Sequence, residues 1–429
     1  MNHCKQVCLR CTWVTRPVFL TWPGTRTVQF STTRLLSRNR MINYFKPKRA
    51  AVLSKMTRYE FEKRLCDTKT EEELKRHLDS KNSDYKVLLE RHMNHFKALE
   101  IIQKNLVAAN IDTRVVTRFD FNSDVIKWAD VIFTAGGDGT FLLAASKVLD
   151  KSKPVIGINT DPDRSEGCLL LPKDEYAAVN FEAALRRLLV GDFSWKWRNR
   201  IRITMSGYHA NDEAIELHDQ QLQFMEHRFT EHVQENEMHE VRRSSHLHHK
   251  LPKPKILPVL ALNEVFIGES LSSRVSYYEL SVNDMPREKQ KSSGITICTG
   301  TGSSSWYFNI NQIHVEAVKD ILSIANKHKD GISPVEDAKT LERIAQEFNS
   351  SLCFDASKLM MAYTIRDPVV NGVFHVSKPR GFAKRLSVLS RMWDACLVVD
   401  GGSSFKFNDG ARATFEIHDD DALRTVSFD

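Results

Sequence analysis

Gly136-Gly137-Asp138-Gly139-Thr140 sets three glycines around one carboxylate and one hydroxyl. The stretch interrupts an apolar run, Val131-Ile132-Phe133-Thr134-Ala135, whose β-branched and aromatic residues read as a buried strand. A helix-forming run from Phe141 to Leu149 follows, with Thr140 as its expected N-cap. Backbone without Cβ lets a ligand come close, and free N–H groups at a helix start favour an anion. Strand, glycine turn and helix start therefore make a phosphate cradle. Asp138 is the odd part, since a carboxylate inside the cradle repels phosphate unless it binds a metal or takes a proton from a nucleophile. Taken alone, the stretch also fits a tight turn capped by an aspartate.

Two later stretches narrow the reading. The glycine motif resembles a signature shared by NAD kinases, diacylglycerol-type lipid kinases and phosphofructokinases. Leu262-Asn263-Glu264-Val265 is similar to the Asn-Glu/Asp motif of NAD kinases, which holds the dinucleotide's ribose. Thr299-Gly300-Thr301-Gly302-Ser303-Ser304-Ser305-Trp306 resembles that family's Thr-Pro-Thr-Gly-Ser-Thr-Ala-Tyr motif. Gly157-Ile158-Asn159 and Gly167-Cys168-Leu169 match its Gly-Val-Asn and Gly-Phe-Leu segment, in the same order and at similar spacing. The resemblance spans about residues 50 to 429 and is strongest to the mitochondrial members found in animals.

The resemblance implies transfer of the terminal phosphate of ATP to the adenosine-ribose 2′-hydroxyl of NAD. Asp138 would be the base, and Gly136, Gly137, Gly139 and Thr140 the phosphate loop. Asn263 and Glu264 suit ribose hydroxyls, since an amide donates and accepts while a carboxylate accepts two O–H bonds. Thr301, Ser304, Ser305, Trp306 and Asn309 align with positions near the dinucleotide, and an indole stacks on a purine or nicotinamide as a phenol does. The implied partners are NAD and ATP, with Mg²⁺ arriving on ATP, no tightly bound cofactor and no metal held by the protein itself, in a homodimer. Six residues depart from the family pattern. Gly300 replaces Pro, which loosens the loop; Ser305 and Trp306 replace Ala and Tyr; Ser293 stands where many members carry Asp; Ile310-Asn311 replaces a Gly-Gly. Two alternatives stand beside the kinase reading: a lipid kinase, which leaves the second and third motifs unexplained, and a non-catalytic NADP(H)-binding sensor.

The net charge of +7 is unevenly placed. Ten basic residues precede residue 50 and no acid occurs before Glu60, so the remaining chain is slightly acidic and is no polyanion binder. An Arg-, Ser- and Thr-rich, acid-free start over residues 1–48 reads as a mitochondrial transit peptide and implies the matrix. No apolar run is long enough to span a membrane. Cys4, Cys8 and Cys11 lack a fourth ligand, and the other five cysteines are scattered, which fits a reducing compartment.

These residues need a scaffold. Ala51-Val52-Leu53, Arg114-Val115-Val116, the glycine strand and Val155-Ile156-Gly157-Ile158 alternate with helices at 60–82, 85–109, 123–128, 141–149 and 177–189. That alternation predicts an α/β domain over 49–193 with a parallel, Rossmann-like sheet, and ligands beyond its carboxyl edge. Residues 194–429 read as a mainly β domain with helical insertions at 313–328 and 335–348, together the NAD kinase/diacylglycerol kinase-like fold. Within it, Trp195 to Met205 alternates as one half-buried strand. Leu397 to Gly402 and Phe407 to Gly410 carry hairpin turns. Asp161 and Asp163 lie in a polar loop and read as turn residues rather than metal ligands. Residues 207–255 hold eight of the sixteen histidines without zinc spacing and read as a mobile insertion, disordered over much of 213–252.

Overall fold

The computed structural model describes residues 44–65, 70–207, 209–223, 253–328, 337–374 and 378–428. Nearly all of the expected transit peptide, Cys66, and most of the His-rich insertion lie outside the described residues.

Four parallel strands, β1 (Arg49–Ser54), β2 (Asp112–Val116), β3 (Val131–Gly136) and β4 (Val155–Asn159), lie in the order β2-β1-β3-β4. The apolar run of β3 is buried throughout because both faces of the sheet are covered. Val131, Phe133 and Ala135 enter a core with helices Tyr85–Ala108 and Phe181–Leu189. Ile132 enters the opposite core with helices Ser123–Trp128 and Asp138–Lys147. The chain leaves β1 on one side and returns past it to β3 on the other. The winding therefore reverses between β1 and β3, where open α/β sheets place their ligands. Ser54 and Gly136 end those two strands.

The second half is a β-sandwich. One antiparallel sheet of seven runs Arg380–Ala383, Met361–Arg366, Gly294–Cys298, Glu264–Glu269, Ala395–Val399, Ser403–Lys406 and Ile215–Glu216. The other, of six, includes Ser276–Val282, Arg385–Ser390, Arg412–Ile417 and Ile201–Ser206. Side chains of both sheets meet in one core, among them Ile203, Leu280 and Phe415 against Ile267, Ile297 and Leu397. Helices Val315–His328 and Ala338–Ser350 form the expected insertions.

Three expectations change. The alternating stretch from Trp195 is two strands, β5 (Ser194–Arg198) and β6 (Ile201–Ser206), belonging to different sheets. Asn199 and Arg200 break it, because both are buried and bonded elsewhere: Asn199 to the carbonyls of Ala356 and Ser357, Arg200 to three carbonyls described below. β5 pairs instead with the last strand, Leu423–Ser427, and Trp195, Val426 and Phe428 pack on the core of the parallel sheet. Within the region read as a mobile insertion, Ile215–Glu216 adds an edge strand and Leu217–Gln223 is helical, tied to Arg118 by Asp219 at 2.7 Å. Lastly, Asn408-Asp409-Gly410 carries the chain from one sheet to the other rather than closing a hairpin. Asn408 Oδ1 accepts the Ala395 N–H there. Among the described residues no helix is long and apolar enough to cross a membrane.

Candidate functional site

The glycine turn starts its helix earlier than the composition suggests. Helix Asp138–Lys147 is capped by Gly137 in extended conformation, and Thr140 lies inside the first turn, its N–H on the Gly137 carbonyl at 3.0 Å. Thr140 is therefore not the N-cap. Asp138, the first helical residue, turns its carboxylate to the neighbouring loop: Oδ1 accepts the Leu169 N–H at 2.9 Å and Oδ2 the Cys168 N–H at 3.1 Å. Each oxygen keeps a second lone pair, so the anchored carboxylate can still accept a hydroxyl proton. Gly136 and Gly137 lie on the carboxyl edge of the sheet, with Gly139 exposed in front of it.

Two residues at this edge carried no motif. Lys55 follows β1 directly, donates its N–H to the Ala135 carbonyl at 2.9 Å, and sets its ammonium 3.7 Å from Asp161. Burial lowers its pKa, Asp161 opposes this, and Arg91 adds to it. Its place at the winding reversal was the available signal. His95 is fully buried between Ser54 Oγ at 2.9 Å and Thr160 Oγ1 at 3.0 Å. Burial pushes its pKa down to about 3, with Lys55 and His92 acting the same way, so it is a neutral strut between the ends of β1 and β4. Nothing in the sequence around His95 marks it. Asp161 accepts the N–H groups of Arg164 and Ser165 on its carbonyl, as a turn residue does.

The second and third motifs interlock. Thr299 donates its N–H to the Asn263 carbonyl at 3.0 Å and its hydroxyl to the Leu262 carbonyl at 2.5 Å, and accepts the Gly302 N–H at 3.1 Å. A Cβ at Gly302 would run into the Asn263 carbonyl, and one at Gly300 into that of Asp355. Gly300 thus marks a close backbone crossing, and the turn is tight rather than loosened. Asn263 Nδ2 stands 3.5 Å from Ser305 Oγ, while its Oδ1 is buried without a partner.

Asp400 holds this arrangement from below and was legible only as a turn residue. It follows Ala395–Val399 in the expected hairpin, with φ +48°, and its carboxylate accepts the N–H groups of Leu262 (2.7 Å), Asn263 (2.8 Å) and Glu264 (3.0 Å). Glu264 has one buried carboxylate oxygen, Oε2, without a partner. Burial and the like charge of Asp400 push its pKa up to about 8, so it carries a proton at neutral pH. Arg200 ties both motif groups together. It is fully buried, and donates to the carbonyls of Ala145 and Val148 at the end of the glycine helix and to that of Asp421, with Asp400 and Asp421 as its countercharges.

Trp306 is 38% exposed, its ring 5.2 Å from that of Phe266 and 5.3 Å from the Arg366 guanidinium. It separates two cavities. One of about 440 Å³ is lined by Glu264, Phe266, Ser293, Trp306, Arg366 and Asp367. The other, about 500 Å³, is lined by Trp306, Asn309, Asn311, Thr364, Arg366 and Arg380. These volumes suit a nucleotide-sized ligand. Thr301 is buried and accepts from Arg198 at 3.4 Å. Ser304 is exposed and bonds back to the Thr301 carbonyl, lining neither cavity.

The family model "ATP-NAD kinase N-terminal domain" matches residues 47–161, the span of the whole parallel sheet. Over 385 residues the chain is 47% identical to the human mitochondrial NAD kinase 2, covering 89% of this chain and 84% of that one. It is 45% identical to the mitochondrial NAD kinase 2 of Xenopus tropicalis, over 90% of this chain and 92% of that one. An NAD kinase of Clostridium kluyveri is 26% identical over 53% of this chain and 65% of its own length. Identity of this degree along most of both chains, on a parallel sheet followed by a β-sandwich, makes the protein a member of the NAD kinase family.

Proposed function

We propose that the protein is an ATP-dependent NAD kinase, moving the terminal phosphate of ATP to the adenosine-ribose 2′-hydroxyl of NAD to make NADP in mitochondria. One observation carries the reading. An anchored carboxylate on a glycine turn stands in the same fold as a second group in which Asn263 Oδ1 and Glu264 Oε2 are buried without partners. Buried polar atoms without partners are costly, and sugar hydroxyls are the groups that would satisfy them. In the reaction the 2′-oxygen attacks the γ-phosphorus, the bond from that phosphorus to the bridging oxygen breaks with its electrons leaving on ADP, and the 2′ proton passes to Asp138. A positioned base of this kind is worth ~10²–10⁴ in rate. The glycine turn and Lys55 face the phosphates, Asn263 and Glu264 orient the ribose, and Trp306 stacks on a ring of the dinucleotide, beside Thr301, Ser304, Ser305 and Asn309. Mg²⁺ enters with ATP as part of the substrate. Such an ion is held by one or two protein carboxylates together with the substrate phosphates.

The test is the full chain with Mg²⁺-ATP, offered NAD, NADH and diacylglycerol separately. NADP formation is expected. Phosphatidate would identify a lipid kinase, and tight NADP binding without turnover a sensor. In the same assay Trp306→Ala should raise KM for NAD about fivefold, the equivalent of ~1 kcal/mol of stacking, and leave that for ATP unchanged. A raised ATP KM instead would move Trp306 to the other substrate. The names of the animal relatives support a mitochondrial address, and the family resemblance adds a homodimer and, with the basic N-terminus, the matrix. A monomer in sedimentation, or a reporter on residues 1–48 that stays outside the matrix, would overturn those two parts.

A further inference from the structure

We propose that Arg198 is a catalytic residue of the phosphoryl transfer, its guanidinium binding the oxygens of the moving phosphoryl group beside Asp138. The inference rests on the kinase reading above.

Arg198, Arg200 and Arg202 alternate along the break between β5 and β6; Arg200 keeps one buried nitrogen, Nη2, without a partner, but its other donors and those of Arg202 are committed to fixed acceptors. Arg200 donates to three carbonyls. Arg202 makes two bonds to the Asp421 carboxylate, at 2.7 and 2.8 Å. Arg198 is different. Its Nε is sealed from solvent with no partner, Nη1 reaches only the Thr301 hydroxyl at 3.4 Å, and no carboxylate among the described residues forms an ion pair with it. The carboxylates acting on it electrostatically are Asp138 first and then Asp355, on the side of the glycine turn and the Thr299–Trp306 turn. The side chain is only partly buried, so a ligand can reach it.

The position is fixed as well as unoccupied. Asn199 is bonded on both sides to the Ala356–Ser357 backbone, and Arg200 to the end of the glycine helix. The backbone at Arg198, paired with Leu423, therefore cannot shift without breaking its neighbours' contacts. A guanidinium with its Nε sealed from solvent and no ion-pair partner among the described residues is unfavourable in the free protein. It is placed for an anion that arrives only with substrate. As the 2′-oxygen approaches and the bond to ADP lengthens, charge spreads over the three equatorial phosphoryl oxygens, and a planar cation with several donors matches them. Lys55 is less suited to this, since Asp161 already faces it at 3.7 Å.

The experiment is steady-state kinetics of Arg198→Met, Arg198→Lys and Arg198→Ala in the full chain, with melting temperatures and NAD affinity. Arg198→Met should lower kcat ~10³-fold, as loss of an arginine in phosphoryl transfer does, with KM for NAD within about twofold and an unchanged or raised melting temperature. Arg198→Lys keeps the charge without the fork and should lose ~10-fold or more. Free guanidinium should restore part of the activity of Arg198→Ala. A kcat for Arg198→Met within about fivefold of the parent overturns the proposal, as does a loss that follows melting and is not rescued. Should Arg198→Met fail to fold, Arg198→Lys decides, and a parental kcat in that variant overturns it. A parent chain that does not phosphorylate NAD would instead remove the kinase reading itself.

Discussion

Asp138→Asn lowers kcat by ~10²-fold or more while the protein stays folded. Asparagine keeps the shape of the side chain but cannot take a proton at neutral pH, which isolates base chemistry from turn geometry. The structure adds a cost that the turn alone does not suggest. Both carboxylate oxygens accept backbone N–H groups, from Leu169 and Cys168. An amide has one acceptor oxygen, so its NH₂ would face one of those donors. Losing that bond costs roughly 1–3 kcal/mol, felt as a fall of a few degrees in melting temperature. Asp138→Ala loses both bonds and should melt lower still. Turnover, NAD affinity by calorimetry and melting on the same preparation separate the two roles. A near-parental kcat in folded Asp138→Asn would remove Asp138 as the base and leave it as the staple between the glycine turn and its neighbouring loop.

What the sequence showed and hid follows the range of the interactions. The parallel sheet was legible because β3 is apolar on both faces, and the glycine turn because three glycines have few other uses. The short helix read at 123–128 is found there, and Asn122 caps it, its side chain accepting the N–H groups of Asp124 and Val125. Long-range demands overrode local pattern elsewhere. The alternation from Trp195 to Met205 continues through Asn199 and Arg200, and only the carbonyls of Ala145 and Val148 show why the strand breaks there. Glu288–Ser292 is a strand despite its charges because it lies at the edge of its sheet, where lysine and glutamate protect an open edge. In the site, Asn263, Glu264 and Trp306 announced themselves as motif residues. Lys55, Arg198 and Asp400 did not, because what they touch is far away in the chain.

Asp400→Ala shows the consequence most sharply, with an expected loss of ~3–5 kcal/mol. Three N–H groups, those of Leu262, Asn263 and Glu264, would lose their acceptor at once. Buried Arg200 would lose one of its two countercharges. Activity should fall with stability, since these N–H groups set the Asn263-Glu264 turn. Asp400→Asn is the milder control: its oxygen can keep the Asn263 and Glu264 donors and loses only Leu262. The pH dependence is a second readout. Burial pushes the Asp400 pKa up to about 6, against its three N–H donors and Arg200, and burial with the Asp400 charge pushes Glu264 up to about 8. A carboxyl whose folded pKa is raised contributes most stability when protonated, and that contribution is lost as pH climbs through the folded value. The parent should therefore lose stability from about pH 4 upward, with the final decline, between about pH 6 and 8, belonging to Glu264. At neutral pH the pair then holds one charge, on Asp400. Removing that charge in Asp400→Asn lets Glu264 ionise at lower pH, so the decline between pH 6 and 8 should shrink. Melting curves from pH 5 to 9 on the parent and both variants measure this directly. A melting temperature for Asp400→Ala within roughly 2 °C of the parent at pH 7 would show that the three N–H groups find other partners.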